Sequence, residues 1–250
     1  MKRIIINSDI NAESIALMCA HIQNVQTHSV VITDSFTLLK YGEKVNDIDL
    51  AELETLGLTN IYCSKLDDVM IVVSPDLINT KSAEEFNGTL EKIEQFLEKT
   101  TLETIEACTV YLGSTFVSND ILSAAAESTA STLVNFNMYK TYQKFTDQFN
   151  WTEAATEQDN TVDGKYLSYT CIFNKKLQKK AAELNRPVLF FSTKDLEAIA
   201  NGKQLDKWQL TGLVRSLSVE IITQHLGVNK ECVESWLQHD IKNKTRRYKL

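Results

Sequence analysis

Short, nearly continuous apolar runs alternate with helix-like segments in the first half of the chain, and this alternation constrains the fold most. The runs cover 2–7, 28–33, 57–63, 68–74 and 109–113. Strands that are apolar on both faces are typical of a parallel sheet covered by helices on its two sides. The sequence therefore predicts an α/β fold.

Two helices are predicted around the fifth of these strands. Before it, Ser82 and Glu85 have the spacing of a capping box, and apolar residues follow at helical spacing (Phe86, Leu90, Ile93 and Leu97). After it, a second apolar stripe predicts one long helix over 118–149, formed by Leu122, Ala126, Thr129, Leu133 and Phe136.

The next part of the chain predicts a polar loop over 151–164 and a further strand–helix–strand unit. Its strands are expected at 166–173 and 187–192, with a basic, exposed helix over 175–184 between them. We expect both strands to join the first sheet, because this part is too short for a core of its own. The fold class is therefore a Rossmann-like, mostly parallel sheet over 1–202, followed by a small helical domain over 203–250.

The charge of the chain is unevenly distributed. The 250 residues carry a formal charge of −7. Residues 203–250 contain nine basic and five acidic side chains, so this end carries +4 and the first 202 residues carry −11. A uniformly acidic protein would repel nucleic acid, but a basic end can contact it.

The start of the chain shows neither a signal peptide nor a spanning segment, because its apolar run ends at Asn7. The five cysteines are scattered and never form a CxxC pair. This pattern is typical of reduced, buried thiols, and we expect a cytoplasmic protein that does not bind membranes. The four histidines have no metal-ligand spacing, and the sequence predicts neither a metal nor a cofactor.

The segment 218–238 has the residue pattern of two helices joined by a tight turn. Thr223 is a small residue where the two helices would cross, Gly227 suits the left-handed turn four residues later, and Val233 lies under the second helix. Ser218 and Asn229 stand where helix N-caps belong. Further apolar residues supply the inner faces: Ile222, Leu226, Val228, Trp236 and Leu237.

This pattern resembles the helix-turn-helix of bacterial and phage DNA-binding regulators. A supporting helix over 208–217 would complete a trihelical unit. The resemblance implies that the second helix enters the major groove and presents its outer side chains to base edges, namely Lys230, Glu231, Glu234, Ser235 and Gln238. Basic residues of the tail would contact phosphates: Lys242, Lys244, Arg246, Arg247 and Lys249.

The larger domain shares features with two known families. A receiver domain is excluded, because its phosphoacceptor Asp is expected in a region that is here polar and helix-like (47–58). The whole arrangement resembles CRISPR-associated Rossmann-like sensors in architecture only. That resemblance implies a ligand, such as a small anionic effector, at strand ends, where the candidates are Ser8, Asp9, Gly113, Ser114 and Thr115.

These observations predict a site-specific DNA-binding protein, acting as a transcriptional regulator on double-stranded DNA. We expect a homodimer, because one unit buries too little surface for strong specificity. No G-x-G-x-x-G, Walker or G-x-S-x-G pattern is present, so the chain is not predicted to be an enzyme. Two alternatives stay open: an assembly factor whose helical end docks on protein, and a phosphoesterase-like enzyme with a metal held by Asp9 and Asp34.

Overall fold

A computed structural model describes most of the chain. The described residues are 2–8, 12–45, 50–101, 104–113, 117–139, 166–172, 188–190 and 208–244. The predicted loop over 151–164 and the predicted helix over 175–184 lie outside them, as does the proposed domain boundary at 202/203.

The described strands form one mixed sheet in which most neighbours are parallel. The strands are β1 (Lys2–Ser8), β2 (Ser29–Thr33), β3 (Glu43–Lys44), β4 (Tyr62–Leu66), β5 (Val69–Val73), β6 (Ala107–Leu112), β7 (Thr132–Tyr139), β8 (Tyr166–Ile172) and β9 (Val188–Phe190). Their order is β3-β4-β5-β2-β6-β1-β7-β8-β9, with antiparallel pairing only between β3, β4 and β5. The predicted mostly parallel α/β sheet is confirmed, and β8 and β9 join it as expected.

Helices cover both faces of the sheet. They are α1 (Glu13–Asn24), α2 (Leu50–Leu56), α3 (Ala83–Thr101), α4 (Asn119–Ser128), α5 (Trp208–Leu226) and α6 (Lys230–Lys244), with short 3-10 turns at Phe36–Tyr41 and Pro75–Asn79. Successive residues of β1 point to opposite faces. Ile4 and Ile6 therefore pack with α1 and α5, whereas Ile5 packs with α3 and α4.

The predicted capping box begins α3. The Glu85 N–H donates to Ser82 Oγ at 3.1 Å, and the Glu85 carboxylate accepts from the Lys81 N–H at 2.7 Å. The apolar stripe that follows is buried against the sheet. The capping and periodicity signals therefore identified this helix correctly.

The predicted long helix over 118–149 is wrong. Helix α4 ends at Ser128, Ala130 adopts a positive φ of 50°, and the chain continues as strand β7. The Ala130 N–H donates to the Glu127 carbonyl at 3.2 Å and the Ser131 N–H to the Ala126 carbonyl at 2.8 Å, and these bonds close the last turn of the helix. Leu133 and Phe136 are buried as strand residues, because the parallel partner β1 offers a hydrogen-bonding edge that the periodicity does not reveal.

The C-terminal segment contains the predicted turn but not the predicted trihelical unit in its described part. Gly227 has φ +66°, and its N–H donates to the Thr223 carbonyl at 2.9 Å. The Asn229 side chain caps α6 by accepting from the Glu231 N–H at 2.9 Å. Ser218, however, lies inside the continuous helix α5, where its hydroxyl donates to the Val214 carbonyl at 2.7 Å. The predicted supporting helix and first helix are thus one element.

Helices α5 and α6 share a hydrophobic core with the sheet. Val214, Ile221 and Val233 belong to the cluster that contains Ile4 and Ile6 of β1. No helix in the described part of the chain is both long enough and apolar enough to cross a membrane.

Candidate functional site

The strand order creates a crevice at the carboxyl edge of the sheet. Strand β1 lies between β6 and β7. The chain leaving β1 passes through α1 to β2 on one side, whereas the chain leaving β6 passes through α4 to β7 on the other side. Adjacent strands whose connections leave in opposite directions form a topological switch point, which is where open α/β sheets bind ligands.

Two of the predicted ligand residues lie at this edge. Ser8 ends β1 and is buried, and Gly113 follows β6 and is exposed. Parallel pairing of β1 with β6 brings these strand ends together. Asp9, Ser114 and Thr115 lie outside the described residues.

Two carboxylates lie at the same edge. Glu13, the first residue of α1, is buried, and its Oε1 accepts from Ser35 Oγ at 2.6 Å. Asp34, directly after β2, is half-buried, and its Oδ1 accepts from the Gly113 N–H at 2.9 Å. These bonds link the ends of β2 and β6 to the start of α1.

The Tyr111 side chain lies inside this group. Its hydroxyl accepts from the Ala12 N–H at 3.2 Å. Burial raises the pKa of Tyr111, the Ala12 N–H lowers it, and the negative charges of Glu13 and Asp34 raise it further. A Cβ at Gly113 would lie 3.3 Å from the Tyr111 ring, so a larger residue there would crowd the ring.

A second helix begins at the same edge. Ser118 caps α4 by accepting from the Ile121 N–H at 3.3 Å. Asn119, the first residue of α4, accepts from Asn7 Nδ2 of β1 at 2.7 Å. The N-termini of α1 and α4 therefore both face the crevice, and their dipoles favour negative charge there.

The residues predicted to contact DNA lie on α6 and in the tail. Lys230, Glu231, Ser235 and Gln238 are exposed, and Glu234 is half-buried. The side chains of Lys242 and Lys244 and the whole of Arg246, Arg247 and Lys249 lie outside the described residues.

No family model matches the chain, and no curated protein matches it. Solved structures do resemble it. A ParA family ATPase from Chlorobium tepidum TLS matches with 12% identity and a TM-score of 0.46, over 87% of this chain and 98% of its own.

Two further structures are similar. A plasmid partition protein from Borrelia burgdorferi B31 bound to AMPPNP has 14% identity and a TM-score of 0.48, over 88% of this chain and 97% of its own. The MinC:MinD cell division complex of Aquifex aeolicus has 10% identity and a TM-score of 0.48, over 89% of this chain and 96% of its own.

These findings correct four predictions. The similar structures are described as ATPases, partition proteins and cell division proteins, and not as transcriptional regulators. The predictions of a DNA-binding protein, of a site-specific transcriptional regulator, of a chain that is not an enzyme and of a double-stranded DNA partner are therefore wrong. Within the described residues, α5 and α6 share a hydrophobic core with the sheet and do not form the separate trihelical domain on which the DNA-binding prediction was based. Homodimer formation and the resemblance of the turn itself stay predictions.

The crevice differs from a P-loop. A P-loop needs glycines whose N–H groups face the phosphates and a lysine that reaches them. Residues 9–12, between β1 and α1, contain neither glycine nor lysine. The Ala12 N–H already donates to Tyr111, and Glu13 places a carboxylate in the first turn of α1. These residues do not fit a bare triphosphate.

Carboxylate oxygens do fit Mg²⁺, which takes one or two carboxylates, keeps waters and shares phosphate oxygens of its substrate. Among the residues that the structure describes, no group of three or more His, Cys, Asp and Glu could hold a metal. A metal at Glu13 and Asp34 would therefore need ligands from a bound molecule.

Sequence reasoning missed Glu13, Ser35 and Tyr111. Glu13 and Ser35 each follow a predicted strand by a few residues, which is a signal that could have found them. Tyr111 lies inside a strand, so only the packing of β6 against α1 reveals its place.

Proposed function

We propose that the chain binds a nucleotide together with Mg²⁺ in the carboxyl-edge crevice, with ATP as the nucleotide and hydrolysis of its terminal phosphate as the activity. The switch point between β1 and β6 is the observation that carries the proposal. The N-termini of α1 and α4 face this crevice and attract anions.

We infer ATP as the nucleotide because one similar protein is described as an ATPase and another as bound to AMPPNP. The site itself rests on the geometry of this chain. Because no lysine lies between β1 and α1, the positive charge that phosphates require would come from Mg²⁺ held by Glu13 and Asp34. We therefore expect nucleotide affinity to depend strongly on Mg²⁺.

The proposal places the protein in the cytoplasm, where ATP and Mg²⁺ are available. Its buried thiols, Cys19, Cys63 and Cys108, are compatible with a reducing compartment.

The first prediction concerns Asp34→Asn. Removing this charge should weaken Mg²⁺-dependent binding of a fluorescent ATP analogue by at least about tenfold, because the metal loses a carboxylate ligand. Binding is measured by fluorescence anisotropy with Mg²⁺ and with EDTA, and phosphate release is followed in parallel. Asp68→Asn is the matched control, since Asp68 is exposed at the opposite edge of the sheet.

We expect saturable binding in Mg²⁺ that EDTA abolishes and that Asp68→Asn leaves unchanged. Absence of saturable binding at millimolar ATP would contradict the proposal. Binding that neither EDTA nor Asp34→Asn weakens would contradict the proposal that Mg²⁺ holds the nucleotide. Binding without phosphate release would contradict hydrolysis.

A further inference from the structure

The Tyr111 side chain lies beside both carboxylates of the carboxyl-edge crevice. Tyr111 belongs to β6 and is only 2% exposed. Its ring is buried in the cluster that also contains the apolar face of α1. Burial is the main cause that raises the pKa of its hydroxyl, and the charges of Glu13 and Asp34 raise it further. One side chain of β6 is therefore close to the start of α1 and to the end of β2 at the same time.

The Tyr111 hydroxyl fixes the start of α1. Ala12 is the N-cap residue of this helix and supplies no side-chain cap. Its carbonyl accepts from the Ile15 N–H at 3.0 Å and from the Ala16 N–H at 3.1 Å, so Ala12 is bound into the first turn. Its N–H donates to the Tyr111 hydroxyl at 3.2 Å. The hydroxyl therefore anchors to β6 the residue that directly precedes Glu13.

The same ring contacts the end of β6. A Cβ built on Gly113 would lie 3.3 Å from both Cε1 and the hydroxyl oxygen of Tyr111, so ring and backbone are close together. The Gly113 N–H in turn donates to Asp34 Oδ1 at 2.9 Å. Tyr111 thus connects the backbone that carries Glu13 with the backbone that binds Asp34, and its position sets the separation of the two carboxylates.

The rigidity of a pair of carboxylates decides which cation it suits. Mg²⁺ is small and requires a nearly ideal octahedral arrangement of oxygens, whereas the larger Ca²⁺ accepts flexible arrangements. Carboxylates held in fixed positions can therefore favour Mg²⁺, and carboxylates that can move accommodate Ca²⁺ as well. Loss of a group that orients a metal ligand typically lowers metal affinity by roughly 10–100-fold.

We propose that Tyr111 is a positioning residue that gives the crevice a preference for Mg²⁺ over Ca²⁺, because it holds Glu13 at a fixed separation from Asp34. This inference rests on the proposed function, in which these two carboxylates hold the metal of a bound nucleotide. Since Tyr111 is buried, it acts through Glu13 and not by contact with the metal or the nucleotide.

The test uses Tyr111→Phe, which removes only the hydroxyl oxygen. Binding of the fluorescent ATP analogue to the full chain is followed by anisotropy over a Mg²⁺ series and a Ca²⁺ series. The metal binds the free analogue equally in every sample, so differences between variants report on the protein. We expect the Mg²⁺ concentration for half-maximal binding to rise about tenfold and the Ca²⁺ concentration to rise much less. Tyr62→Phe, at an exposed tyrosine of β4, should change neither.

A double variant tests whether Tyr111 acts through Glu13. Glu13→Gln should itself raise the Mg²⁺ concentration for half-maximal binding. Adding Tyr111→Phe should then cause no further rise, because the effects of residues that act through one contact are not additive. Independent effects in the double variant would overturn the proposal. An equal rise for Mg²⁺ and Ca²⁺ in Tyr111→Phe, or no rise at all, would also overturn it.

A measurement without nucleotide checks the anchoring hydrogen bond. Hydrogen exchange of the Ala12 amide, followed by NMR, should be faster in Tyr111→Phe than in Tyr62→Phe, and equal exchange would overturn the anchoring of α1. Absence of saturable analogue binding with either metal would overturn the proposed function together with the metal preference. Saturable binding with an unchanged metal preference in Tyr111→Phe would overturn the role of Tyr111 alone.

Discussion

At the residue scale, the buried thiols show how packing changes chemistry. Cys19 of α1 is completely buried and lies beside Ser218 of α5. Burial raises the pKa of the Cys19 thiol from 9.0 to about 12, although a hydrogen bond with Ser218 lowers it. Cys63 also has a pKa raised to about 12 by burial. The unfolded chain therefore ionises these thiols before the folded chain does.

This difference predicts a loss of stability in alkali. Between pH 9 and 12 the folded state binds more protons than the unfolded state, so the free energy of unfolding falls as pH rises. Cys19→Ala should reduce this slope by about 1 kcal/mol per pH unit. Urea unfolding at several pH values measures it. Cys232→Ala is the control, because Cys232 is exposed. An unchanged slope in Cys19→Ala would contradict the raised pKa of the Cys19 thiol.

At the scale of elements, local sequence signals predicted the structure correctly where the hydrogen-bond partners lie within a few residues of each other. The capping box of α3 and the Gly227 turn use partners within a few residues. The prediction of a long helix over 118–149 was wrong because β7 is stabilised by pairing with β1, which is more than a hundred residues away in the chain. The prediction of a trihelical unit was wrong at Ser218. A serine can cap a helix, but this one donates to the Val214 carbonyl inside α5.

The prediction at the scale of elements concerns the turn between α5 and α6. Gly227→Val places a β-branched side chain at φ +66°, which costs about 1–3 kcal/mol of backbone strain. We expect a lower melting temperature by differential scanning calorimetry. Gly88→Val is a comparison inside α3, where an added Cβ meets open space and valine has a slightly higher helix propensity than glycine, so we expect no loss there. A smaller loss at Gly227 than at Gly88 would refute the strained turn.

At the scale of the whole molecule, the sheet and the described C-terminal helices share one hydrophobic core. Ile221 and Ile222 of α5 are completely buried, in the cluster that also contains Ile4 and Ile6 of β1. Removing atoms from such a cluster leaves a cavity that the surroundings fill only in part.

Ile222→Ala should therefore destabilise the entire protein by about 2–5 kcal/mol. Calorimetry should show one transition that moves to a lower temperature, since α5 and the sheet share a core. Val228→Ala, at a partly buried position after the turn, should have a smaller effect. Two separate transitions, with only the smaller one shifted by Ile222→Ala, would show instead that α5 and α6 unfold independently.

The candidate site could be predicted only in part. Ser8 and Gly113 were found because strand ends can be recognised from apolar runs. Glu13, Asp34 and Tyr111 meet because α1, β2 and β6 converge, although these residues are 21 to 98 positions apart in the chain. Such distant contacts leave no periodic signal.

By itself, the sequence determined most of the strands in the first half of the chain, the caps at Ser82 and Asn229 and the left-handed turn at Gly227, because apolar runs, capping side chains and glycine act over a few residues. Only the tertiary structure decided the order of the strands, and with it the switch point at β1 and β6. It also decided that α5 packs on α1 and the sheet. Apolar faces are interchangeable in a sequence, and which faces meet depends on the packing of the whole chain.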